Sequence, residues 1–105
     1  MQTYSDNEYK KLADIVHKYL EYGIGDNFDA LKNILSLIKN NEDLKKLIQA
    51  YGFRQNYFYA LPLGNKENLL TNLQHQLSNK ELGIYTDMLN FIRADWAKKK
   101  ITYKI

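Results

Sequence analysis

Apolar residues recur at three- and four-residue spacings along most of the chain, the repeat of helices that bury one face. Between residues 6 and 21, Tyr9, Leu12, Ala13, Val16, Tyr19 and Leu20 fall on one stripe. Gly23 marks its stop, as where a left-handed residue ends a helix. A second helix is expected from Asp26, whose carboxylate caps the free amides that follow, with Asp29 adding favourable charge at that end. Its apolar face is Phe28, Leu31, Ile34, Leu35 and Ile38, and it runs to about Asn40. Asn40 or Asn41 caps a third helix with Leu44, Leu47, Ile48 and Tyr51 inward, ended by Gly52.

The periodicity then breaks. GFRQNYFYALPLGNK contains Pro62 and Gly64, which interrupt helices, and its YFYAL run reads as an aromatic loop that can lie extended. A short fourth helix is expected from about Lys66 to Leu77, with Leu69, Leu70, Leu73 and Leu77 on one side. Ser78 and Glu81 form a capping box for a fifth, whose stripe is Leu82, Tyr85, Leu89, Ile92 and Trp96. The closing KKKITYKI alternates Ile101, Tyr103 and Ile105, a pattern for a strand or for docking on a partner. These elements describe an all-α domain of five helices over residues 1–97, with an aromatic loop between the third and fourth helices and a C-terminal tail over 98–105.

Composition narrows the chemistry. A chain of 105 residues has length for one core but not two. Cysteine is absent, which removes disulfides and thiolate metal sites. The N-terminus has no apolar segment of signal-peptide type, and no apolar run reaches the length of a membrane-spanning helix. The chain is therefore expected to be soluble, without export by a cleaved signal. The net charge of +3 is concentrated at the end, where Arg93, Lys98, Lys99, Lys100 and Lys104 face one acid, Asp95.

The stretch YGIGDNFDAL, residues 22–31, invites three readings. A phosphate loop needs a preceding strand and a further glycine or Lys-Ser/Thr pair, and Asp26 would repel an anion. A cation loop uses carbonyl oxygens bared by the glycines, with a carboxylate from elsewhere. A plain connector uses Gly23 and Gly25 for their backbone freedom and Asp26 as a cap, and pattern alone favours it.

GIGDNFDALKNIL, with a helix before it and LKKLIQAYG and LLTNLQHQLSNKEL after it, resembles an annexin repeat over residues 6–93. The resemblance implies a five-helix annexin-like bundle of the kind found singly in small bacterial or phage-encoded proteins. It also implies calcium ligands: loop carbonyls at Glu21, Gly23 and Gly25, and a carboxylate at the position that here is Gln76. A neutral amide there removes a charge and a bidentate ligand. The loop therefore reads as an inherited connector without its ion, and no cofactor or metal is expected.

His17 and His75 have no partners at metal-ligand spacing, and no nucleophile or carboxylate pair suggests an enzyme. Candidate partner contacts are Arg54, Tyr57, Phe58, Tyr59 and Leu61 in the aromatic segment, with Ile101, Tyr103 and Ile105 in the tail, since aromatic groups supply much of the energy at interfaces. The expected function is a non-enzymatic protein–protein interaction module, a phage structural or accessory component within a larger assembly. Peripheral binding to acidic membrane, with or without calcium, is the alternative. Nucleic-acid binding by Lys98, Lys99, Lys100 and Lys104 ranks behind both, a solvated helix end being the simpler use of those charges.

Overall fold

Side-chain caps explain where three of the helices start. The computed structural model describes residues 1–21, 28–58, 61–77, 80, 83 and 84, of which 28, 56–58, 61–64 and 75 are described by backbone alone. Helix α1 spans Asp6–Glu21. Ser5 and Glu8 make a reciprocal capping box at its start: the Glu8 amide donates to Ser5 Oγ at 3.3 Å, and the Ser5 amide donates to Glu8 Oε1 at 3.3 Å. Helix α2 is Phe28–Leu35 and helix α3 is Asn41–Tyr51, with Asn40 as its N-cap accepting from the Asp43 amide. Gly52 closes α3 at φ 61°, donating its amide to the Ile48 carbonyl. A side chain at that left-handed position would be strained, which is why glycine stands there.

Helix α2 stops five residues short of the end that its apolar pattern suggested. The Leu37 and Ile38 amides bond carbonyls three residues back, tightening the chain into a turn, and Ser36 Oγ donates to the Asn33 carbonyl. Lys39 and Asn40 are then engaged by the start of α3 rather than by α2. Ile38 is still buried, so the apolar pattern continues through a break in the helix.

The expected aromatic loop is instead a pair of strands. Strand β1, Arg54–Phe58, pairs antiparallel with β2, Leu61–Glu67, so the described residues are mostly helical, as expected, with a small two-stranded sheet added. Arg54 lies opposite Glu67 and Gln55 opposite Lys66, whereas Asn56 lies opposite Leu63. Gly64 and Asn65 are therefore extra, a bulge that bends β2 and admits the glycine. The strands also move the start of the next helix. Lys66 and Glu67, read as its first residues, belong to β2; Asn68 caps α4, Leu69–Gln76, by accepting from the Thr71 amide at 3.0 Å.

One core joins these pieces. Tyr9, Ala13, Val16 and Leu20 from α1, Leu31 and Leu35 from α2, Leu44, Leu47 and Tyr51 from α3, and Leu69, Leu70 and Leu73 from α4 are buried together, with Ile38 and Leu77. Leu12, Tyr19, Ile34 and Ile48 line its margin. The hairpin packs against α1 and α4. Gly83 and Ile84 are helical, but the rest of the expected fifth helix and its Ser78–Glu81 box lie outside the described residues. Among the described residues no helix is long and apolar enough to cross a membrane.

A carboxylate sits inside this core. Asp43 is fully buried and accepts four hydrogen bonds. The donors are the Thr3 amide and hydroxyl at 2.6 Å each, the Tyr9 hydroxyl at 2.7 Å and the Lys39 amide at 3.0 Å. Burial alone would push its pKa up; the donors, led by the Thr3 and Tyr9 hydroxyls, outweigh it and hold the group at about 2. Burial and the facing carboxylate raise the Tyr9 phenol in turn. The anion thereby ties residues before α1 to the first turn of α3, an end already favourable to negative charge.

A depressed carboxyl pKa stabilises the fold above its unfolded value near 3.8 and loses that contribution as pH falls toward 2. The contribution is about 2 kcal/mol. Urea unfolding of the parent should therefore show stability falling between about pH 4 and pH 2. Asp43→Ala, which removes the common acceptor of four donors, should cost about 3 kcal/mol at neutral pH and flatten that dependence.

Candidate interaction site at the root of the hairpin

Gly52 turns the chain out of α3, and the residues on either side of it organise the hairpin's attachment. Tyr51, last in α3, is 2% exposed and presents three different groups. Its carbonyl accepts from Arg54 Nε at 2.8 Å, its hydroxyl accepts from Asn72 Nδ2 at 2.7 Å, and its ring carries the Arg54 guanidinium at 4.9 Å from the centroid. His17 of α1 meets the same ring edge-on, with centroids 5.8 Å apart. Such ring contacts contribute on the order of 1 kcal/mol each.

The strand itself is held from two sides. Asn72, buried on α4, also donates Nδ2 to the Arg54 carbonyl at 3.2 Å. His17 Nε2 lies 3.2 Å from the Gln55 carbonyl, and because a carbonyl only accepts, that nitrogen carries the proton. Arg54 reaches α1 as well, placing Nη1 3.0 Å from Asp14 Oδ1. Asp14 is 71% exposed, so this ion pair adds under about 1 kcal/mol. The geometric consequence outweighs the energetic one: α1, α3 and α4 all grip the first two residues of β1.

Arg54 was expected to face a partner; its guanidinium is engaged within the fold. Tyr57 and Phe58 lie on β1 and Leu61 on β2, with Tyr57 opposite Pro62 and Phe58 opposite Leu61. Tyr59 lies outside the described residues, as do Ile101, Tyr103 and Ile105 and the basic Lys98, Lys99, Lys100 and Lys104. Of the calcium-loop candidates, Glu21 ends α1, half-buried, and Gln76 ends α4. Gly23, Gly25 and the capping Asp26 are outside the described residues. His17 serves the hairpin root, while the side chain of His75 is not described. Among the described residues no group of three or more His, Cys, Asp or Glu side chains is placed to hold a metal.

Sequence reasoning missed the roles of four residues. Phe53, between the cap and the strand, is 75% exposed. Asp14 and His17 stand three apart on α1, the helical spacing for one shared face, which signals a joint contact once a partner cation and carbonyl are known. Asn72 stands three residues after Leu69 and next to Leu73, a spacing that sets it beside the buried leucines of α4.

Comparison with known proteins finds no matching family model, no matching curated protein and no matching solved structure.

The root's stability should rest on Asn72 far more than on Asp14. Asn72→Ala removes a buried donor to the Tyr51 hydroxyl and to the Arg54 carbonyl and should cost about 2 kcal/mol in urea unfolding. Asp14→Ala should cost under about 1 kcal/mol, and less still at high salt.

Proposed function

We propose that the chain is a non-enzymatic protein–protein interaction module that presents the β1–β2 hairpin to a partner. The observation that carries this reading is Phe53. A large aromatic side chain left 75% in water sits directly beside a root clamped by three helices. An aromatic group next to an anchored segment offers apolar area for a partner to cover and loses little further freedom on binding. Tyr57, Phe58 and Leu61 on the paired strands extend the same segment with residue types that dominate binding energy.

The sequence resemblance to a single annexin-like repeat supplies the biological setting we infer: a structural or accessory component of a phage particle, docked through the hairpin and the C-terminal tail onto other proteins of the assembly. Arg54 belongs to the support of this surface rather than to its contact face. Its place in the contact set is taken by Phe53.

The proposal is tested by recovering partners from the native source on immobilised protein and comparing the parent with Phe53→Asp. Phe53 is exposed, so the variant should keep the parent's circular dichroism and unfolding midpoint. Its retained partner should fall by at least about tenfold, as for loss of a central aromatic contact. Undiminished capture by a folded Phe53→Asp protein contradicts the hairpin surface. Calcium-dependent sedimentation of the parent with acidic liposomes supports the membrane alternative instead.

A further inference from the structure

Two buried polar atoms on α4 have no hydrogen-bond partner: Asn72 Oδ1 and Gln76 Nε2. The assignment of the Asn72 amide follows from its surroundings. The Arg54 carbonyl can only accept, so the atom 3.2 Å from it is the nitrogen, and the oxygen is left on the other side. Asn72 is 1% exposed, so its oxygen does not reach bulk water. Leaving such an acceptor and such a donor unmade costs free energy comparable to a lost hydrogen bond for each.

The two residues are four apart on one helix, which brings their side chains to one face about 6 Å apart at Cβ. One group accepts and the other donates. That pair is the complement of a molecule able to do both, and it suits neither a cation, which the amide N–H repels, nor an anion, which the amide oxygen repels. Both atoms are sealed from solvent, which excludes anything larger than the smallest such molecule. We infer that Asn72 Oδ1 and Gln76 Nε2 hold one ordered water between them. The water accepts from Gln76 and donates to Asn72, within the two to four partners typical of buried waters. If the Gln76 amide is turned over, the water donates to both oxygens and the site is unchanged in kind.

This site extends the hairpin root. Asn72 already binds the Tyr51 hydroxyl and the Arg54 carbonyl, so the water carries the same network one turn further along α4 to its last residue. Gln76 is then a structural residue that works inward. The inference does not depend on what the hairpin binds.

A high-resolution crystal structure of the unmodified chain should show a water within hydrogen-bond distance of both atoms. Gln76→Met keeps the side chain's length and removes its polar group, which gives the thermodynamic reading an informative sign. If the water is present, the variant strands Asn72 Oδ1, and its unfolding equilibrium constant should rise about tenfold. If the site is dry, the variant removes an unsatisfied buried donor and should be more stable than the parent. A direct Asn72–Gln76 bond, a dry pair in the crystal, or a more stable Gln76→Met protein overturns the inference.

Discussion

Tyr51 is the residue on which the arrangement depends. It ends a helix, belongs to the core, and meets Arg54 through both its carbonyl and its ring. Its hydroxyl reaches across to Asn72, and its ring edge receives His17. Four elements therefore converge on one side chain. A two-stranded hairpin is marginal by itself in water. Here its first residues are bonded to the same groups that close the helical core, so opening the hairpin breaks several of those bonds at once.

Asp43 does the corresponding work at the opposite end of α3. A buried carboxylate is costly, and it is tolerated because two hydroxyls and two main-chain amides satisfy it at the positive end of a helix. Helix α3 is thus fixed at its start by an anion that gathers the N-terminal residues and at its finish by a tyrosine that gathers the hairpin. Between these ends its leucines pack into the common core. The hairpin that follows such a helix is thereby held in a defined orientation.

Much of the helical body was legible because burial imposes its own period. The leucines of α3 and α4 and the stripe of α1 can be read directly, and Gly52 announced its turn through the one backbone angle that disfavours other residues. The departures share one cause: local periodicity is silent about bonds between distant segments. Ile38 continued a helical pattern although the helix had stopped, because Lys39 and Asn40 were committed to α3. Lys66 and Glu67 suit a helix by propensity, yet pairing with Gln55 and Arg54 places them in a strand. Nothing in the local sequence marks Asp43; only Thr3 and Tyr9, forty and thirty-four residues away, reveal its role. The residues around the hairpin root were legible only in part: Arg54 and the aromatic segment stand out in the sequence, while the bonds of Arg54 to Tyr51 and Asp14 depend on helices that the local pattern does not bring together.

The central claim is that hairpin and helices form one cooperative unit through Tyr51. Native-state amide hydrogen exchange tests it most directly. If the claim holds, the ladder amides of β1 and β2 exchange with the same opening free energy as the interior amides of α3, and shift together as denaturant is added. Hairpin amides that exchange orders of magnitude faster, while α1 and α3 stay protected, would contradict it.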